Sequence, residues 1–157
     1  MVAIVFTGIA IGSRLWSNPS LLGATTLYIV LVGVVYGLLL HGLLELSGGD
    51  AIANVLLHVV TPIFVPIFWI AFAPKGNLSR RDPLLWAIYP LGYLAYALIR
   101  GEVTRRYPYP FINVNELGWS RSLLNALLIA IAFIAASWLF VSLDSLLARQ
   151  QNKPSLI

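Results

Sequence analysis

Apolar residues run through this chain in long stretches, broken by short clusters of Gly, Pro, Asn, Asp and charged residues. Five stretches stand out, at residues 2–15, 21–44, 51–72, 84–99 and 121–147. Crossing the hydrocarbon of a bilayer takes roughly 20 helical residues. The second, third and fifth stretches meet that length alone. The fourth is shorter, and Tyr and Trp at its ends extend it into the headgroup region, where such rings settle. The first stretch is too short to span: at 1.5 Å per residue, fifteen residues reach about 22 Å. Between the stretches lie turn signals. Ser17-Asn18-Pro19-Ser20 separates the first two, and Pro19 suits a helix start because its missing N–H is not needed there. Ser47-Gly48-Gly49-Asp50 and the run from Pro74 to Pro83 mark the next breaks. The longest connection is expected from about Arg100 to Ser120. The pattern predicts an all-α fold, a polytopic transmembrane helix bundle forming a single membrane domain with five helices in this chain.

Composition agrees. The chain is 59% hydrophobic and 10% charged, with a mean hydropathy of +0.86, against about 25% charged residues in an average soluble domain. Cysteine is absent, which excludes disulfides, thiolate metal sites and cysteine nucleophiles. Two histidines and six carboxylates occur without metal-ligand spacing, so no metal and no cofactor is expected. The net charge of +4 fits anionic lipid headgroups and cytoplasmic loops. With no basic surface stretch interleaved with aromatics, nucleic acid is not an expected partner; membrane lipids are. Arg14, Lys75, Arg80, Arg81, Arg149 and Lys153 fall on one side of a five-helix arrangement, and Arg100, Arg105, Arg106 and Arg121 on the other. The excess predicts a multi-pass protein of the cell membrane with a cytoplasmic C-terminus.

Within this apolar frame a few polar residues carry the candidate chemistry. His58 lies eight residues into the third stretch. An imidazole at that depth is costly in lipid, so it is expected to face protein or a wet cavity. It is either a site residue or a core histidine bonded to a carbonyl. Asn54, His58 and Pro62 recur every four residues and share one helix face. Asn54 is placed to hold one imidazole nitrogen and fix the tautomer. Pro62 and Pro66 remove backbone donors and predict a kink, with Thr61 placed to satisfy a freed carbonyl. In the fourth stretch Tyr89, Tyr93, Tyr96 and Arg100 form one stripe. It is read either as a pocket lining with a cation at its mouth or as an interfacial aromatic belt. Tyr107-Pro108-Tyr109-Pro110-Phe111 is a stiff, extended strip that either covers the bundle mouth or anchors at the interface. Asn125 is a candidate hydrogen-bond donor across elements. Thr7, Ser13, Thr25, Thr26 and Ser122 are the hydroxyls at membrane depth, and such residues commonly bond their own helix.

These residues together resemble the FAR/AIG-like family of androgen-induced membrane proteins, in particular its bacterial six-helix branch. The resemblance rests on Leu-Leu-His-Val-Val-Thr-Pro around His58 and Pro62, Trp69 and Phe72, and Pro74-Lys75-Gly76. It continues through Trp86, Tyr89-Pro90-Leu91, Tyr96, Arg100-Gly101, Tyr107-Pro108-Tyr109-Pro110-Phe111 and Asn125, with Tyr28 and Tyr36 also fitting. It implies a lipid ester hydrolase, acting on fatty-acid esters of hydroxy fatty acids with one threonine and one histidine. His58 stands at the histidine position and would be the general base. Asn54, Tyr96, Arg100, Tyr107, Tyr109 and Asn125 would line the substrate site, with Arg100 or Lys75 near an anionic headgroup. Two departures accompany it. Phe68 stands where the bacterial pattern has aspartate, and the family's Phe-Thr-x-x-Ser-Asn motif, which carries the threonine, aligns before Met1. The resemblance therefore implies an N-terminally truncated chain lacking its nucleophile. The alternative is a non-enzymatic protein that binds or moves an amphiphilic small molecule.

Overall fold

The computed structural model describes residues 1–14, 17–42 and 45–151. Five helices are present and no strand occurs among the described residues: α1 (Val2–Ala10), α2 (Pro19–Leu40), α3 (Gly48–Phe72), α4 (Asp82–Thr104) and α5 (Val114–Gln151). A single 3₁₀ turn, Pro110–Ile112, precedes α5. The last four helices are long and apolar enough to cross a membrane, as in a multi-pass membrane protein. Large apolar side chains on them remain exposed, Ile63, Phe64, Ile67 and Ile70 of α3 among them. A lipid-facing surface needs no polar cover.

The helix ends follow local chemistry, and several depart from the apolar runs. α1 stops at Ala10, not residue 15. Gly12 adopts φ +73°, its N–H donates to Ile9 O and Ser13 N–H donates to Gly8 O. That pair of bonds is the Schellman closure, which needs a residue in the left-handed region. The predicted ends at residues 15 and 44, and Lys153, lie outside the described residues. α2 starts at Pro19, with Asn18 Oδ1 accepting from the N–H groups of Ser20 and Leu21. α4 runs five residues past the predicted 99, because the helix continues through Arg100, Glu102 and Thr104 beyond its apolar run. It ends where Arg105 turns left-handed at φ 56°. α5 begins at Val114, not 121, and is broken at Gly118, whose φ of 73° and ψ of 165° are not helical.

The chain forms two compact units, Met1–Ser79 with Ser142–Ile157, and Arg80–Val141. In the first, α2 packs along α3, and Val5, Leu22, Leu27, Val65 and Trp69 are buried. Phe6 of α1 sits edge-on to Phe68 at 4.8 Å. Gly33 of α2 lies tight against α3: a methyl group there would come within 2.6 Å of Pro62 Cβ. Small residues allow such contact between membrane helices, where packing replaces the hydrophobic drive.

The last turns of α5 close this unit on a carboxylate that the reading of the sequence passed over. Asp144 is fully buried, and its Oδ2 accepts from Gly76 N–H at 2.9 Å and Leu78 N–H at 3.2 Å. Oδ1 has no partner. The Asp144 clamp fixes the Pro74-Lys75-Gly76 loop after α3. Asp144→Ala leaves two backbone donors without their acceptor and is expected to cost about 2–4 kcal/mol. Asp144→Asn keeps an acceptor oxygen and is expected to cost much less. Thermal unfolding of both variants in detergent checks the difference; equal losses would show that the carboxylate oxygens do not hold the loop.

In the second unit the strip after α4 folds back on it. The Tyr107 ring packs against Gly101, where a Cβ would collide with it. Tyr107 Oη donates to Glu102 at 3.1 Å, and Glu102 also pairs with Arg105 at 3.4 Å. Trp86 and Phe140 meet edge to face.

Candidate functional site: an imidazole and a phenol in an apolar groove

The site is built on two faults in helix winding. In α3 the turn Leu56–Val60 is π-helical. Pro62 has no N–H to continue the ladder, and the bonding slips to i→i+5 just before it. Thr61 donates both its N–H and its hydroxyl to Leu56 O, the hydroxyl at 2.7 Å. Thr61 thus plays the part its position predicts, and the strain of the proline is met by a π turn. The second fault is in α2, where Tyr36–Leu40 is also π-helical and His41 N–H donates to Tyr36 O at 2.8 Å. Single π turns insert a residue and re-aim side chains, and they occur often at functional positions. Here one carries His58 and the other Tyr36.

These two side chains meet. The His58 and Tyr36 rings stack, with centroids 4.5 Å apart and planes 25° from parallel. His58 Nδ1 lies 3.1 Å from Asn54 O. A carbonyl only accepts, so Nδ1 carries the proton of the neutral ring and Nε2 is left as the free acceptor. Asn54 therefore does hold the imidazole, though through its backbone carbonyl. Its side-chain amide instead donates to Tyr36 Oη at 2.6 Å. Asn54 thereby ties both rings. His41 sits edge-on to Tyr36 at 5.8 Å.

An open groove of about 350 Å³ adjoins these rings, lined by Val30, Val34, Val59, Pro62 and Ile63 beside Tyr36, His41 and His58. Its volume lies at the small end of ligand sites, roughly 300–1,000 Å³, and its character, apolar walls with a few convergent polar groups, is typical of them. Among the described residues no Ser or Thr lines it. Thr25 and Thr26 are buried, and their hydroxyls bond Leu21 O and Leu22 O, one turn back in their own helix. Ser122, in the second unit, is buried with its hydroxyl unpartnered.

The other predicted site residues belong to the second unit. Tyr109 stacks on Phe111 at 5.1 Å and approaches Tyr93 at 6.4 Å, and Tyr93 lies 6.2 Å from Tyr96. Burial, reinforced by Tyr93 and Tyr89, pushes the Tyr109 phenol up to about 12. For Tyr107, burial and then the Glu102 hydrogen bond raise the phenol as well. Asn125 does bond across elements, donating to Phe111 O at 2.9 Å, and so pins the strip. The strip thus packs on the tyrosine stripe, while Tyr89 and Tyr96 remain largely exposed. Arg100 is exposed, one turn before the end of α4. Lys75 does not stand free for a headgroup. Its ammonium donates to Trp69 O and Ala73 O, each at 2.6 Å, and lies 4.3 Å from the centre of the Trp69 ring. Burial lowers its pKa, against the opposing pull of Asp144.

No protein-family model, curated protein or solved structure matches this chain. Among the described residues no cluster of three or more His, Cys, Asp or Glu is placed to hold a metal ion.

Proposed function

We propose that this is a multi-pass protein of the cell membrane, with a cytoplasmic C-terminus, that takes the polar end of a lipid-like ester into the groove and acts on it through His58 as general base. The observation that carries this reading is the bond between His58 Nδ1 and Asn54 O beside the groove. Its Nδ1 is committed to Asn54 O, which leaves Nε2 to act as the base when the ring is neutral, in a residue that lines an apolar groove of about 350 Å³. A general base needs that free lone pair and a defined ring position. The chemistry we propose, ester cleavage with histidine as the base, is the one implied by the resemblance of the residues around His58 to the FAR/AIG-like family. The orientation rests on the excess of Lys and Arg on the side of the loop 73–81 and the C-terminus.

A second reading has a specific observation in its favour. Among the described residues no Ser or Thr lines the groove, and a protein that binds an amphiphile without turning it over needs none. The two readings separate when purified protein in liposomes is given a fluorogenic long-chain ester. Cleavage that vanishes with His58→Ala supports the hydrolase. Binding of the ester without product supports the carrier, and neither binding nor cleavage removes both.

A further inference from the structure

We propose that Tyr36 is the group that recognises the ligand, donating its phenolic proton to a carbonyl oxygen, and that the groove therefore selects carbonyl-headed amphiphiles over charged or plain hydrocarbon ones. This rests on the groove being the ligand site. A phenol has one O–H and two lone pairs. Asn54 Nδ2 donates to one lone pair at 2.6 Å, and the Tyr36 O–H itself has no acceptor among the described residues. Accepting a hydrogen bond polarises the phenol and makes its own proton a better donor. A donor left unmatched beside an apolar groove is costly, and a ligand oxygen relieves that cost.

The neighbouring groups narrow the ligand further. The His58 ring, whose Nδ1 is taken by Asn54 O, stacks on the Tyr36 ring, so one groove wall carries both a phenolic donor and, on the neutral imidazole, an acceptor at Nε2. An ester carbonyl answers the donor. A protonated carboxylic acid answers both, its C=O accepting from Tyr36 and its O–H donating to His58. A phosphate or sulfate headgroup is disfavoured, because no Lys or Arg among the described residues lines the groove to balance it. The π turns give this arrangement its geometry. Tyr36 opens one and His58 is central in the other, so both side chains are presented where regular winding would carry them elsewhere.

The test is competition in detergent against a diazirine-bearing fatty ester that crosslinks to the protein. Three competitors of equal chain length are used: methyl oleate, oleic acid and the corresponding alkene. Tyr36→Phe is expected to weaken methyl oleate about tenfold and to leave the alkene unchanged. A merely structural role for Tyr36 would weaken both alike, and no change for either would remove the hydrogen bond; each overturns the proposal while leaving the groove as a ligand site. If no competitor reduces crosslinking of the wild type, the groove reading itself fails and this inference with it. A second measurement needs no variant. The infrared carbonyl stretch of ¹³C-labelled methyl oleate bound to the wild type is expected below its value in hydrocarbon solvent, and an unshifted band overturns the proposal. The acid arm identifies the source of the carbonyl. Oleic acid that loses potency with both Tyr36→Phe and His58→Ala is held as the neutral acid, whereas an ester that loses potency alone marks the ester as the ligand.

Discussion

Gly33→Leu is expected to abolish the packed pair of α2 and α3, and with it most of the folded protein recovered from the membrane. Even one added methyl would stand 2.6 Å from Pro62 Cβ and 3.0 Å from Pro62 Cγ, well inside van der Waals contact. The obstacle is a buried proline ring, which has no rotamer to give, so relief requires the helices to part. Overpacking by a few methylenes in a well-packed core costs about 1–3 kcal/mol, and folded domains have only about 5–15 kcal/mol in hand. A leucine adds four carbons at this tight contact. Gly33→Ala is the graded control, expected to lower the unfolding temperature without preventing folding. Parting the helices also separates Tyr36 from His58, so ligand crosslinking should fall in the alanine variant before unfolding is complete. Thermal unfolding in detergent reads the first effect. A leucine variant as stable as the wild type would show that the α2–α3 contact is not as described.

His58→Ala is expected to carry the largest effect on turnover. Removing a general base typically costs a factor of about 10²–10⁴ in rate; His41, the other imidazole at the groove, sits edge-on to Tyr36, and combining His58→Ala with His41→Ala tells whether it supplies any residual rate. Asn54→Ala separates two roles that the sequence alone runs together. The bond to His58 comes from the Asn54 backbone, which alanine retains. The bond to Tyr36 comes from the side chain, which alanine loses. The alanine variant should therefore show a smaller loss than His58→Ala, expressed mainly as weaker binding of the ester. Equal losses would mean that the Asn54 amide acts on His58 after all. Rates and half-saturation concentrations for a fluorogenic long-chain ester, measured on both variants, check this.

Much of the helical frame was legible because it depends on local pattern. Asn18-Pro19 announced a helix start and the structure caps α2 there. The apolar runs located the four long helices, but they marked where the chain is greasy and not where it is helical. Hence α4 and α5 run further than their apolar cores, to Thr104 and back to Val114. Pro62 signalled a disturbed helix. Whether the backbone answers a missing donor by kinking or by slipping to i→i+5 depends on Thr61 and on the partner helix, and only the fold decides it.

The site divided in the same way. His58 stood out because an imidazole is expensive among apolar residues. Tyr36 entered only as one of the residues fitting the family resemblance, with no role of its own; its stacking on His58 depends on the register of α2 against α3, to which the contact of Gly33 with Pro62 contributes. Asp144 had a signal that went unused. A lone carboxylate inside an apolar run is as costly as a lone imidazole, and the fold spends it on two amides of a loop far away in sequence.

The claim on which the functional reading stands is that the groove between the π turns of α2 and α3 holds the ligand. Photocrosslinking of a diazirine fatty ester to the protein in liposomes, followed by mass spectrometry of the labelled peptides, addresses it directly. Labels are expected on Val34, Val59 or Ile63, and are expected to disappear with excess methyl oleate. Labels spread evenly over the lipid-facing residues of α4 and α5, and undiminished by the competitor, would contradict it.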